Sequence, residues 1–563
     1  MPPEGASPAA QSSTRPPKDR LVSCLAPLRR TNDLSDRPLA FRLGLIVVVL
    51  IQAFSALGFL QRDQVNFSSD QAVPALMALE IRDHGAHPLF YWGVPYAGSL
   101  EPHLLALVFR VLPDTVASYR IVMFAFLALA TLFTALAAAR AFGPRSGLLA
   151  GAYLAAGPSF LFYKILASDG AYASFFMLAA ASVYLATRLG QETGEARSRV
   201  VLLALGICLG VAWWVIPLSI VLGGVVAAGV VLRPGSWLKP IRISLLCAGF
   251  LLGASPWLAE NVRTGFVSLR SAEMSRSGSE QLLSQGRLLL ARGVPVLLGG
   301  RSPGGRDATF PGSEAISVVL LGGLVVSGTF LVRREKVPAA RFLALSSTIL
   351  LVAPVLMALS RARTDFREDP RYLLSCYVGI AVLSGVLLAR LIEREASAWA
   401  LVFAGTFFLL GPLSQLRSQR YGDDPRHGRI PETIALAEKL GTSGIREVYT
   451  EYWIAYRLTF LSRGQVVASP FGDGAMGPVR DVRALERVDG VEHPAFILEP
   501  GQARQLLAFL DARSAPYSHE QLPDLGRELI WGIPPGELAI VRACRCFPAP
   551  ESPSPGAGPE SPR

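Results

Sequence analysis

The chain is poor in charge. Only 17% of its 563 residues are Asp, Glu, Lys or Arg, against 51% that are hydrophobic, whereas soluble proteins carry about a quarter charged residues. Long apolar runs recur along it, which excludes a soluble fold and marks a polytopic membrane protein. Cysteine is scarce as well. There are six, with no CxxC pair and no metal-ligand spacing, so neither a zinc module nor a dithiol redox centre is written here. Cys208, Cys247 and Cys376 lie in apolar runs as packing residues, and Cys544 and Cys546 stand too close for an easy mutual disulfide. No HExxH motif accompanies His84, His87 or His103, which read as polar residues of the membrane interface. Residues 1–40 lack any long apolar run and are rich in Pro, Ser and Arg. That is the composition of a disordered tail, without a cleavable signal peptide.

The charge that is present is unevenly placed. The net charge is +11, and the cations gather in alternate turns between apolar runs. Arg29, Arg30, Arg37 and Arg42 precede the first run. Arg140 and Arg145, then Arg188, Arg197 and Arg199, then Arg233, Lys239 and Arg242, and finally Arg333, Arg334 and Lys336 mark later turns. This is the pattern of cytoplasmic loops, so the basic balance calls for no nucleic-acid partner and places the N-terminus in the cytoplasm. Apolar runs of spanning length fall near 43–60, 119–139, 147–166, 171–187, 200–216, 217–232, 243–259, 313–332, 342–359, 372–391 and 399–416. The expected fold class is an α-helical polytopic membrane protein with about eleven transmembrane helices over residues 41–416. A small α/β domain, 417–546, follows on the extracytoplasmic side, and a Pro/Ser/Gly-rich tail, 547–563, ends the chain. Within the domain, 431–440 and 500–512 read as helices, and 447–452, 465–468 and 495–498 as strands.

The loop after the first run, within 61–118, concentrates the chemistry. It contains FSSDQAVPALMALEIRDHGAHPLFYWGVPYAGSLEPH. Gln71–Arg82 carries Val73, Leu76, Met77 and Ile81 on one face, the pattern of a helix lying in the interface. Asp70 either caps that helix or acts as a general base, taking a proton from an acceptor hydroxyl. Glu101 either complements the dipole of the helix it opens or joins Asp169, in the turn SDGAY, in binding an acceptor or a divalent cation. Tyr91, Trp92, Trp213 and Trp214 suit an interfacial aromatic belt. One outer loop breaks the charge rule: SRARTDFREDPRY, residues 360–372. Its Arg361, Arg363, Arg367 and Arg371, with Tyr372, offer forked donors for a phosphate, or else they pair with Asp365, Glu368 and Asp369.

Taken in order, SSDQA, HPLFYWG, YAGSLE, RIVMF…ARAFGPRSGLLAG, SDGAY and DPRYLLS resemble the GT-C superfamily of membrane glycosyltransferases. The branch is that of family 39 and its bacterial relatives, which includes protein O-mannosyltransferases and the aminoarabinose transferase of lipid A. The resemblance covers roughly residues 40–392, and YTEYWIAYRLTF in the C-terminal domain looks like that of bacterial members. It implies an inverting glycosyltransferase of the bacterial inner membrane. The donor would be a polyprenyl-phosphate sugar, and a glycan, lipid or protein would be the acceptor. It implies Asp70 as catalytic base, Asp169 at the acceptor or a metal ion, and Arg371 at the donor phosphate; Glu101 is the further candidate for the acceptor or metal, and Tyr372 and Arg367 for the phosphate. The family's paired Asp-Glu of the first loop is Asp70-Gln71 here, which leaves the acceptor and any divalent cation open.

Two other classes compete. A flippase or exporter of lipid-linked sugars places ionisable residues near the bilayer midplane, whereas here the runs are nearly free of charge and the acids sit at their outer ends. A non-catalytic scaffold would use the C-terminal domain to bind a partner.

Overall fold

The computed structural model describes residues 38–62, 67–166, 170–191, 194–270, 279–303, 308–360, 370–393, 398–417, 429–471 and 476–544. Asp169, Arg361, Arg363 and Arg367, and the acids Asp365, Glu368 and Asp369, lie outside the described residues.

Seven described helices are long and apolar enough to cross a membrane, or up to nine if each of two bent pairs is one span. The first, Pro38–Arg62, turns Leu50 and Phe54 outward, 61% and 79% exposed, as a lipid-facing helix does. Three expected spans differ in form. The run at 147–166 is two helices, Pro144–Ala155 and Ser159–Leu166, bent by 72° across Gly157-Pro158, where the proline denies an amide to the ladder. The run at 243–259 is likewise Pro240–Gly253 and Ser255–Thr264, bent by 60° before Pro256. The run at 217–232 opens as a 3-10 segment, Pro217–Leu222, and continues as Gly223–Leu232.

Helices Glu195–Val215 and Pro240–Gly253 pack backbone to backbone. Gly206 and Gly210 of one face Gly249 and Gly253 of the other, and a Cβ on any of the four would collide with main-chain atoms of the partner. In lipid, where apolar side chains gain little by meeting, such close approach is a principal source of helix affinity.

The first loop folds into a helix, Ser69–His84, a two-stranded hairpin (β1 Phe90–Tyr91, β2 Val94–Gly98) and a short helix, Leu100–Val108. The Ser69–His84 helix forms where expected, but its apolar face does not lie bare in the interface. Val73, Met77 and Ile81 are buried in protein, against the C-terminal domain and the Leu100–Val108 helix.

That domain carries a five-stranded sheet in the order β4-β3-β5-β7-β6: β3 Glu447–Thr450, β4 Val467–Pro470, β5 Ala495–Leu498, β6 Ser518–Leu522 and β7 Arg527–Trp531. β4, β3 and β5 run parallel; β7 and β6 are antiparallel additions. Alternation along the strands divides the core. Val448, Ala495 and Ile497 join the large cluster that continues into the membrane helices, while Tyr449, Phe496 and Leu498 face a second cluster with Leu506 and Leu510.

Candidate active site

Asp70 sits in the first turn of Ser69–His84, half-buried. Ser68 stands at the N-cap without a side-chain cap bond. The carboxylate's Oδ1 instead accepts a hydrogen bond from the hydroxyl of Tyr452, 382 residues further along the chain. Tyr452 opens the helix Tyr452–Leu461, which lies along the loop helix. Two more contacts flank this one. The amide of Arg457 donates to Ser69 Oγ at 3.4 Å, and the ring of Phe460 lies 5.3 Å from that of Phe67. The segment that follows β4 grips the hairpin as well: Arg480 Nη1 reaches Gly93 O at 2.6 Å, and Arg483 pairs with Glu80 and lies 4.9 Å over the Trp92 ring. Burial and the nearby Asp70 charge push the Tyr452 phenol well above its usual range, opposed by Arg480. It therefore stays a protonated donor.

Glu101 is fully buried. Its Oε1 accepts from Ser174 N and Ser174 Oγ, both at 2.9 Å, and its Oε2 from Tyr91 OH at 3.1 Å. Ser174 lies in the first turn of Tyr172–Leu189, so the carboxylate also complements that helix's N-terminus. Burial, then the Glu101 charge, push the Tyr91 phenol well up. Glu101 is thus a brace between the first loop and a membrane helix, with both oxygens engaged.

Arg371 and Tyr372 form a 3-10 turn, Arg371–Leu373, ahead of the helix Cys376–Glu393. Tyr372 is buried, and the Arg371 guanidinium lies 5.7 Å from its ring centre. The described part of the structure places Asp70 and Glu101 on neighbouring pieces of the first loop, and Arg371 and Tyr372 on the turn before a late span. Asp169 and Arg367 lie outside the described residues. Among the described residues no group of three or more His, Cys, Asp and Glu side chains comes together as a metal site. His84 pairs with Glu80 at 3.0 Å, and His103 Nδ1 lies 2.8 Å from Ser99 O.

Three features escaped the sequence reading. Tyr452 and Arg480 reach the first loop across almost four hundred residues, a distance no local pattern spans. Lys164, fully buried with its ammonium 4.8 Å over the Tyr172 ring, did carry a signal: an ionisable residue inside an apolar run. Arg457 is 2% exposed, and among the described residues its Nε and Nη1 have no hydrogen-bond partner.

The helices and the sheet domain seated on the first loop have a fold that solved membrane glycosyltransferases share. The structure is similar to that of ArnT from Cupriavidus metallidurans bound to undecaprenyl phosphate, with a TM-score of 0.60 at 14% identity over 86% of this chain and 98% of that one. The apo state of the same protein gives 0.58 at 14% identity and the same coverage. The oligosaccharyltransferase AglB from Archaeoglobus fulgidus, in complex with an inhibitory peptide and a dolichol-phosphate, gives 0.49 at 12% identity over 87% and 74%. No family profile and no curated protein matches the sequence.

Proposed function

We propose that this chain is an inverting glycosyltransferase. It moves a sugar from a polyprenyl-phosphate carrier to a hydroxyl acceptor on the extracytoplasmic face of a bacterial inner membrane, with its N-terminus in the cytoplasm. The observation that carries the reading is the position of Asp70. It is a half-buried carboxylate at the seam of the first loop and the sheet domain, in a chain whose fold matches ArnT over nearly all of that protein's length.

In this reaction Asp70 takes the proton of the acceptor hydroxyl as its oxygen attacks the anomeric carbon. The bond from that carbon to the phosphate oxygen breaks, and the polyprenyl phosphate leaves with the electron pair. Arg371, seated on Tyr372, and Arg367 stabilise the charge that develops on the phosphate. Attack from the face opposite the phosphate inverts the centre. An apolar groove of about 620 Å³, lined by Leu209, Trp213, Ile220 and Phe250, suits an isoprenoid chain. Asp169 is the candidate for the acceptor or a divalent cation, while Glu101 holds the first loop against Tyr172–Leu189.

The test is Asp70→Asn in vesicles supplied with labelled polyprenyl-phosphate sugars. Loss of a base of this kind lowers the rate by about a hundred- to ten-thousandfold. Transfer at the parent rate by the variant sinks the mechanism. Lipid movement without any transfer by the parent points to a flippase instead.

A further inference from the structure

We infer that Tyr452, backed by Arg480, is a positioning residue for the base, so that the C-terminal domain completes the reaction centre. This rests on Asp70 being the base.

The seam between the loop and the domain is held in several places without it: Phe67 on Phe460, Arg483 on Glu80 and Trp92, and Arg480 on Gly93 O. Tyr452 does something those contacts do not. It donates to a carboxylate oxygen of Asp70 and thereby fixes which way the carboxylate faces.

The tyrosine itself is fixed from every side. Its amide donates to Met476 O at 2.7 Å. Its ring meets Trp453 and Tyr456 edge-on, at 5.0 and 5.6 Å. The Arg480 guanidinium lies 5.6 Å from the ring centre, and its charge opposes the rise of the phenol's pKa. Gly477, at φ +88°, lies so close that a Cβ there would stand 2.5 Å from the Tyr452 Cβ. The phenol is therefore held in one place, with the Arg480 cation beside its ring to favour donation from the hydroxyl.

Other charged or titratable groups on the elements packed around Asp70 are Tyr456 and Arg457 on the same helix as Tyr452, Glu101 and His103 on Leu100–Val108, Tyr91 on β1, and Asp481 beside Arg480. Tyr452 donates to Asp70 Oδ1. A donor on the ionised carboxylate favours that form. Removing it raises the pH at which Asp70 ionises, and takes away one constraint on the carboxylate's orientation.

The experiment uses the full chain in detergent or vesicles, with two readouts. Carbodiimide labelling of the Asp70 peptide across pH reads its ionisation without any substrate. The acid limb of the transfer rate reads the same group in the reaction. Tyr452→Phe is expected to move the labelling midpoint upward by about one to two pH units, the worth of one hydrogen bond to a charged group. The acid limb should move with it, and kcat should fall by about ten- to a hundredfold from lost orientation while the donor KM stays put. Arg480→Gln should shift both in the same direction by less, which keeps the test available if the phenylalanine variant fails to fold. Phe460→Ala, which loosens the seam without touching the carboxylate, should move neither midpoint. Unshifted midpoints in Tyr452→Phe and Arg480→Gln, alongside an inactive Asp70→Asn, overturn this inference and leave the base standing. A fully active Asp70→Asn overturns the base, and the role of Tyr452 with it.

Discussion

Replacing Glu101 separates bracing from chemistry. In Glu101→Ala, Ser174 Oγ can still turn to Ala171 O, 3.1 Å away. Among the described residues the Ser174 amide and the Tyr91 hydroxyl have no such second acceptor. Leaving two buried donors unmet costs about 2–6 kcal/mol, before any cavity left by the lost methylenes is counted. Glu101→Gln behaves differently. Ser174 N can only donate, so it holds the amide oxygen where Oε1 stood. The amide NH₂ then faces Tyr91, whose hydroxyl can turn and accept. One bond to Tyr91 is kept, but the phenol proton loses its acceptor, so the expected loss is about 1–3 kcal/mol, less than for alanine. Apparent unfolding midpoints in one detergent rank the variants, and hydrogen exchange at the Ser174 amide localises the effect. The alanine variant should unfold well below the parent and exchange faster there, while the glutamine variant should fall between the two, keep the parent's exchange at that amide and transfer sugar within a few-fold of the parent. A stable Glu101→Gln that transfers nothing refutes the brace and returns Glu101 to the acceptor or a cation. A Glu101→Ala as stable as the parent refutes the arithmetic.

Two further outcomes follow from the arginines. Arg371→Ala should raise the donor KM by about ten- to a hundredfold, the worth of a charged donor on phosphate, and leave the acceptor KM unchanged; a donor titration with unaltered KM removes Arg371 from the phosphate. Arg457 is buried with two unmet N–H groups, and burial, opposed by Glu451 and Glu432, lowers its pKa to about 10. Because the folded state binds that proton less tightly than the unfolded chain, the charged side chain destabilises the fold at neutral pH, and the cost is relieved only above about pH 10. Arg457→Met should therefore be neutral or stabilising by about 1–3 kcal/mol in thermal scans. A clear loss of stability would show that the guanidinium has a partner in the folded protein.

What the sequence made legible follows from the range of the forces involved. Spans such as Tyr172–Leu189 and Ser313–Arg334 announce themselves because each must bury its backbone in lipid on its own. The strands Glu447–Thr450 and Ala495–Leu498 and the helices Ile430–Thr442 and Pro500–Ala512 were readable from local apolar pattern. Strands β6 and β7 were not, because SHEQL is exposed at four of five positions and owes its place to pairing with β7. The candidate base was visible as an acid just past a span. Its partner was not, since nothing in YTEYW says that its second tyrosine meets residue 70.

The same long-range contacts fix the threading of the chain. Trp214 Nε1 donates to Leu89 O at 2.8 Å, so the end of Glu195–Val215 lies on the side of the first loop. Arg233 Nη1 donates to Gly190 O at 3.2 Å, and Gly190 closes Tyr172–Leu189, whose other end carries the Ser174 contact to that loop. Residues 214 and 233 thus lie at opposite ends of the helical layer, and Pro217–Leu232 must cross it, although it falls short of the usual spanning length. Geometry permits this. Its six 3-10 residues rise about 2 Å each and its ten α-helical residues about 1.5 Å each, some 27 Å in all, close to a hydrocarbon core of about 30 Å. Parity agrees. The loop helix and the helix Tyr452–Leu461 touch, so an even number of crossings must separate them. Among the described residues, ten crossings, an even number, result when Pro217–Leu232, both bent pairs and Ala398–Arg417 each cross. A single cysteine at Ser236, in an otherwise cysteine-free chain, should then react with a membrane-impermeant maleimide from the side opposite to one placed at His87. Labelling of both from the same side would break the crossing, and with it the shared side of Asp70 and the sheet domain.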